Sequence, residues 1–301
     1  MHNAMHDPIT DPVDNHATQT YLALRFALLL LPALLLISIG AQVVADSFCV
    51  LQSISAYYHT AVRGVFVGAL CAIGACLIVY RGNLARENVL LDYSGFMAFL
   101  VAFVPTEFDR TCTTAGTPIP DNPGLADAVA NNVLSLLIVT LIAAVAAWKV
   151  RMLRPDPGAP LTPFARRTLL VTLGLLAIGG VVFFVQRDLV LRYGHAVAAV
   201  LLFAGIIAVV WYNADDFATK RGVGLWWNRY TVTAVAMAAT VVACVVLYLL
   251  GARYAVLIAE ALLIAEFGVF WGLQTVELGN RKVRPATREA GEQEAVEATT
   301  P

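Results

Sequence analysis

The sequence has few charged residues, which are what a soluble protein uses to cover its surface. Only 14% of its 301 residues are Asp, Glu, Lys or Arg, whereas about 25% is usual in soluble domains. Hydrophobic residues make up 59% of the chain, and its mean hydropathy is +0.73. This composition excludes an ordinary soluble domain and indicates an integral membrane protein whose main partner is the lipid bilayer.

The chain also lacks an excess of basic residues. Its 20 Lys and Arg residues are balanced by 21 Asp and Glu residues, which gives a formal net charge of −1. Because nucleic acid is bound through a positive surface, we exclude it as a partner. The sequence contains no Gly-rich phosphate loop and no Gly-x-Ser-x-Gly elbow, so nucleotide-binding and esterase chemistry of the soluble kind have no support.

Histidine is scarce, and the only two histidines with the spacing of a metal motif are His2 and His6, in the N-terminal stretch predicted to be disordered. The other histidines form neither a His-x-x-x-His nor a His-Glu-x-x-His pair. A zinc site would therefore have to converge from separate segments, and its candidate ligands are His59, Asp109 and His195. We favour a protein without a cofactor and keep zinc as the alternative.

What the sequence does have is a series of long apolar runs. A helix needs about 20 apolar residues to cross the hydrocarbon core of a bilayer. Eight runs qualify as spans: 21–45, 61–80, 89–106, 126–148, 166–186, 190–212, 228–250 and 254–276. We predict an all-α transmembrane bundle that forms a single domain over residues 21–278. Residues 1–20 and 279–301 are predicted to be disordered tails.

The positions of Lys and Arg predict how the bundle is oriented. With eight spans, 15 of the 20 basic residues fall on one side of the membrane, together with both tails. Basic residues near span ends mark the cytoplasmic side, so both termini are predicted to be cytoplasmic. The segments after the first and third spans then lie on the outer side.

Small residues predict where helices approach closely. Gly64, Gly68, Ala72 and Cys76 recur at every fourth position of the second span. Such a row lets two backbones come together in lipid. We therefore expect the second span to contact a neighbour through this row.

The segment that joins the first two spans is polar and aromatic. Its sequence, QSISAYYHTAVR at 52–63, spaces Gln52, Ser55, His59 and Arg63 by three, four and four residues. This spacing predicts an interfacial turn or a re-entrant helix that leads into the second span, with these side chains on one helical face. An aromatic belt with an arginine that reaches the surface is the other interpretation.

Other outer segments could contribute to a pocket around this stretch. Arg63 and Glu260 enter the membrane to a similar depth from the same side, and an ionisable group in a span needs a partner. We therefore predict that they pair, either within a ligand site or as a salt bridge that only fixes packing. The predicted ligand-binding residues are Ser53, Ser55, Tyr58, Arg63, His195 and Glu260.

Two of the five cysteines, Cys49 and Cys112, fall on the outer side. An oxidising compartment would permit a disulfide between them. Such a bond would hold the polar stretch against residues 107–110. Chance placement of two cysteines is the alternative.

Several motifs together resemble those of a known family. They are SISAYY at 53–58, RGVFVGALCAIG at 63–74 and Arg81-Gly82, with weaker similarity at 104–106, from His195 onward and in the last span. This set resembles a widespread group of uncharacterised bacterial multi-pass membrane proteins, classed as a domain of unknown function. The resemblance implies a helical bundle in the bacterial inner membrane and supplies no reaction.

A fainter similarity is to the membrane hydrolase superfamily that includes alkaline ceramidases and adiponectin-type receptors. Ser55, His59, Asp109 and His195 match part of its pattern, while the last span here has no histidine. It implies a metal-dependent intramembrane hydrolase, with Glu260 as general base for a bound water. We favour a non-enzymatic protein whose outer pocket binds or transports a small polar or amphiphilic ligand. A structural or assembly role is the third hypothesis.

Overall fold

The protein is an antiparallel bundle of long helices. A computed structural model describes residues 12–82, 84–112, 124–152, 170, 174 and 177–297, and every regular element within these ranges is helical. The helices are α1 (Pro12–Ala45), α2 (Arg63–Val79), α3 (Ala85–Phe103), α4 (Leu125–Met152), α5 (Arg187–Arg221), α6 (Arg229–Leu249) and α7 (Ala255–Glu297). Residues 177–185 are also helical, and Ser55–His59 and Leu225–Trp227 form short 3-10 helices.

Five of the helices in the described part of the chain are long and apolar enough to cross a membrane. They are α1, α4, α5, α6 and α7, and α2 is a shorter apolar helix of 17 residues. Large apolar side chains such as Leu30, Leu141 and Val242 are more than half exposed on these helices, as expected for surfaces that face lipid. The protein is therefore an all-α, multi-pass membrane protein, as predicted. Most of the predicted span at 166–186 lies outside the described residues.

Contacts between α1 and α7 define the two ends of the bundle. Arg25, in the first half of α1, hydrogen-bonds to Gln274, near the middle of α7, while the Leu257 N–H at the start of α7 donates to the Gln52 carbonyl beyond the end of α1. The two helices therefore run antiparallel. We call the first end the Arg25 end. The opposite end, which carries segments 46–62 and 104–112, we call the disulfide end.

The helix α3 packs between α2 and α5 by close backbone approach. At the crossing with α2, a Cβ on Gly74 would lie 2.7 Å from the Gly95 carbonyl oxygen, and a Cβ on Gly95 would lie 2.6 Å from the Gly74 oxygen. At the crossing with α5, a Cβ on Gly205 would collide with the Ser94 hydroxyl. Glycine at these positions lets three helices meet without a gap.

The predicted contact row on α2 is wrong in its position. A Cβ added to Gly64 or Gly68 would meet nothing within 4 Å. The close contact lies on a different face, at Gly74. A row of small residues permits close approach, but it does not by itself determine which face meets a neighbour.

The terminal helices extend into the stretches that were predicted to be disordered. Helix α1 begins at Pro12 and α7 continues to Glu297. The extension of α7 is rich in Ala, Glu and Arg, which have high helix propensity. Predicted tail residues 1–11 and 298–301 lie outside the described residues.

Substituting Gly74→Ala is expected to destabilise the protein. The added methyl group cannot fit against the Gly95 carbonyl, and overpacking of this kind costs about 1–3 kcal/mol. Gly68→Ala, on the same helix, is the matched control and should leave the Tm of the purified protein in detergent nearly unchanged. Equal Tm values for the two variants, measured by differential scanning fluorimetry, would contradict this helix crossing.

Candidate functional site

The polar segment between α1 and α2 is not one continuous helix. Ser55–His59 form a single 3-10 turn, and Thr60 after it has extended backbone, with φ −116° and ψ −173°. The Ser53 hydroxyl accepts from the Ala56 N–H, and the Thr60 hydroxyl donates to the Tyr57 carbonyl. Such local side-chain bonds compete with helix formation. The prediction of four side chains on one helical face is therefore wrong.

The four side chains of the predicted stripe each contact a different part of the molecule. Their partners are Asp109 and Thr111 for Gln52, Glu260 for Ser55, the Thr106 carbonyl for His59, and Tyr58 for Arg63. Through these hydrogen bonds the segment connects α2, α7 and the residues after α3.

The carboxylate of Glu260 holds the first half of this segment. Its Oε2 accepts from the Ile54 N–H at 2.6 Å, and its Oε1 accepts from the Ser55 hydroxyl at 2.8 Å. The predicted pairing of Glu260 with Arg63 is wrong, because both carboxylate oxygens are used by this turn. A buried backbone N–H outside a helix needs such an acceptor.

The side chain of Arg63 is held by Tyr58 instead. Its Nη2 donates to the Tyr58 hydroxyl at 3.0 Å, and the guanidinium carbon lies 4.4 Å from the centre of the Tyr58 ring. Tyr58 is itself buried and packs edge to face against Phe66. Among the residues that the structure describes, no carboxylate oxygen lies within 4 Å of the Arg63 guanidinium.

Two histidines hold the non-helical segment that follows α3. The His59 Nε2 lies 2.8 Å from the Thr106 carbonyl oxygen, and the His195 Nδ1 lies 2.6 Å from the Val104 carbonyl oxygen. A ring nitrogen that contacts a carbonyl must carry the proton. Both imidazoles therefore donate to the backbone. His195 is 6% exposed, and its Nε2 is buried without a hydrogen-bond partner.

The three alternative zinc ligands are not brought together. The Asp109 carboxylate accepts hydrogen bonds from the Gln52 N–H at 2.6 Å and from Thr111. The two histidines instead bond the carbonyls of Thr106 and Val104. Within the described ranges, no group of three His, Cys, Asp or Glu side chains lies close enough to share a metal ion. The hydrolase hypothesis gains no support from this geometry.

A covalent bond and a carboxylate join the two segments of the disulfide end. Cys49 and Cys112 form a disulfide, which the sequence leaves as one of two possibilities. Burial alone would raise the pKa of Asp109, but hydrogen bonds from Gln52 and Thr111 outweigh it and lower that pKa below the ordinary 3.8. The ionised carboxylate is thus part of the folded structure.

These segments enclose a polar cavity of about 450 Å³ at the disulfide end. It is lined by Tyr58, His59, Thr60, Arg63, Pro105, Thr106, Glu107, Phe108, Leu125, Ala126 and Leu191. Of the predicted ligand-binding residues, Tyr58 and Arg63 line this cavity. Ser53, Ser55 and Glu260 instead shape the turn behind it, and His195 anchors the residues after α3.

An apolar cavity of about 310 Å³ lies farther from the disulfide end, between α3, α4, residues 177–185 and α5. It adjoins the polar cavity along shared segments. Val104 and Val190 line the apolar cavity, while their chain neighbours Pro105 and Leu191 line the polar one. Sequence reasoning missed this cavity, because its lining has the same composition as any lipid-facing helix.

A second polar cluster, at the Arg25 end, was also missed. Arg25 is 8% exposed and donates to the Tyr80 hydroxyl at 2.6 Å and to the Gln274 Oε1 at 2.9 Å. The Gln274 amide donates to Asn213, and the Asn213 amide donates to the buried carboxylate of Glu87. The one signal in the sequence was an arginine inside the first apolar run. The cluster joins α1, α3, α5 and α7.

The chain matches no protein-family model, no curated protein and no solved structure. Its resemblance to the uncharacterised bacterial membrane proteins therefore stays a prediction. What the protein does has to be inferred from the geometry of the disulfide end.

Replacing Glu260 with Ala is expected to lower the Tm more than replacing Ser55 with Ala. The first change leaves a buried backbone N–H without an acceptor, at about 1–3 kcal/mol, whereas the second removes one hydrogen bond worth about 1 kcal/mol. Glu260→Gln keeps an acceptor oxygen and should fall between them. A Glu260→Ala variant as stable as Ser55→Ala in the same detergent would contradict this role.

Asp109 is expected to make the stability of the protein depend on acid pH. Because its folded pKa is depressed, its contribution is fully present above the ordinary 3.8 and is lost as the pH falls through the folded pKa. The difference in Tm between wild type and Asp109→Asn should therefore shrink in acid below 3.8. A difference that stays constant in a pH series would exclude this contribution.

Proposed function

We propose that the protein binds an amphiphilic ligand at the disulfide end. The supporting observation is that a polar cavity of about 450 Å³ adjoins an apolar cavity of about 310 Å³. Small-molecule sites have volumes of about 300–1,000 Å³. A ligand that lies across both cavities places its polar head beside Arg63 and His59 and its apolar part between α3 and α5.

The apolar cavity is open to the surrounding lipid. Ile178 and Val197 line it and are 63% and 54% exposed. Helix α4 forms one wall and is buried little by its neighbours, since only 11% of its apolar stretch is buried. Apolar surface that is exposed in this way lies against lipid chains, so a ligand can enter sideways from the bilayer.

The predicted site residues divide into two roles in this proposal. Arg63 and Tyr58 contact the polar head. Glu260 and Ser55 fix the turn that carries them, and His195 fixes the opposite wall through the Val104 carbonyl. A site whose walls are already held in place loses less freedom when it binds.

We also propose that the protein lies in the bacterial inner membrane, with the disulfide end outside and both termini in the cytoplasm. The bias of Lys and Arg supports this orientation, and the Cys49–Cys112 bond needs an oxidising compartment. The family resemblance supports the bacterial membrane. Alkaline phosphatase fused after Pro301, active only when exported, should be inactive, and an active fusion would reverse the orientation.

Filling the apolar cavity is expected to abolish ligand binding. Ala198 lines the cavity and is 3% exposed, so Ala198→Phe places a ring in the ligand's space. The exposed neighbour Ala196 is not in the lining, and Ala196→Phe is the matched control. Binding of radiolabelled palmitate and of radiolabelled hexadecanol to the full-length protein in nanodiscs provides the measurement.

Saturable binding of at least one probe is expected in the wild type and in Ala196→Phe. Ala198→Phe should weaken it by at least about tenfold, which corresponds to 1.4 kcal/mol. The absence of saturable binding of both probes, or equal binding by the two variants, would refute the proposed site.

A further inference from the structure

We infer that the ligand is an anionic amphiphile, an inference that rests on the amphiphile site proposed above. The charge that the polar cavity leaves unbalanced carries the inference, and the apolar lining of the neighbouring cavity agrees with it.

The polar cavity contains a cation whose charge is not neutralised by a nearby carboxylate. In the part of the chain that the structure describes, the polar partner of the half-buried Arg63 is the neutral hydroxyl of Tyr58, and no carboxylate lies within 4 Å. A cation withdrawn from water is unfavourable unless an anion accompanies it. An anionic head group would supply that partner.

The acidic residue of the polar cavity does not fill this role. The side chain of Glu107 is 77% exposed and lies 3.9 Å from Arg192, another exposed residue. Glu107 thus belongs to the rim, where its interaction is screened by solvent. His59 uses its Nε2 to bond the Thr106 carbonyl. At the depth of Arg63 the balance of charge is therefore positive, and the positive end of the α2 dipole adds to it.

The guanidinium of Arg63 is held ready to bind an anion. The buried Tyr58 ring lies under the guanidinium, and the Tyr58 hydroxyl accepts a hydrogen bond from Nη2. A guanidinium has five N–H groups in a planar fork that matches carboxylate and phosphate oxygens. In the described ranges the Tyr58 hydroxyl is the partner shown for these groups, and the fork can form two parallel hydrogen bonds to a carboxylate or phosphate, a strong and directional contact.

The lining of the apolar cavity suits a hydrocarbon chain. Phe96, Leu100, Leu137, Phe183 and similar apolar residues line it. Burial of hydrocarbon against such a surface is favourable.

The test is a competition experiment on the full-length protein in phosphatidylcholine nanodiscs. Radiolabelled palmitate is the probe. Its competitors are hexadecanol, which has the same chain without a charge, and acetate, which has the head without a chain. Palmitate is expected to bind at least about tenfold more tightly than hexadecanol, because hexadecanol lacks one charge-assisted contact. Acetate should compete poorly.

Arg63→Gln should reduce palmitate affinity to about that of hexadecanol. Hexadecanol should still bind saturably to this variant, which shows that the variant is folded. Arg63→Lys, which keeps the charge, should retain part of the preference. Arg253→Gln removes an exposed arginine outside the cavity lining at the same end and is the matched control, with palmitate binding as in the wild type.

Each contrary result identifies what fails. Equal affinity for palmitate and hexadecanol, with both lost in Ala198→Phe, would overturn the anionic head and leave the amphiphile site standing. No saturable binding of palmitate or of hexadecanol would overturn this inference together with the proposed function.

Discussion

The disulfide end depends on one constraint, that buried backbone groups outside helices must find hydrogen-bond partners within the protein. Segments 46–62 and 104–112 are largely non-helical, follow or precede α1, α2 and α3, and are bonded to α5 and α7. The Glu260 carboxylate accepts a hydrogen bond from the Ile54 N–H, and His59 and His195 donate to carbonyls of the second segment. Because these side chains come from different elements, satisfying the backbone also fixes the walls of the cavity.

This constraint explains why most polar residues of the disulfide end do not face a ligand. Glu260, His195 and Asp109 have the chemistry of a site, but the Glu260 and Asp109 carboxylates and the His195 Nδ1 are used to hold segments in place. Arg63 differs, since it lines the cavity and a neutral tyrosine holds it. The structure therefore separates residues that shape the cavity from the one positioned to recognise a charged group.

The sequence predicts the helices well, because apolar runs such as 228–250 and 254–276 define spans by length alone. It fails in the segment at 52–63, where the bonds of Ser53 and Thr60 to nearby backbone prevent a continuous helix. The sequence also fails to predict the partner of Glu260. The depth of this residue in the membrane does not show that its carboxylate bonds the Ile54 N–H and not Arg63. The apolar cavity and the cluster around Arg25 depend on how distant helices converge, which no local pattern encodes.

The most direct test of the central claim is to map where an amphiphile sits in the membrane-embedded protein. A palmitate analogue with a photoreactive group at the end of its chain would be irradiated with the protein in nanodiscs, and labelled peptides identified by mass spectrometry. The account predicts labels concentrated on the α3 and α5 walls of the apolar cavity, around Met97 and Ala198. Labels spread over lipid-facing positions such as Leu30 and Val242, in proportion to exposure, would contradict it.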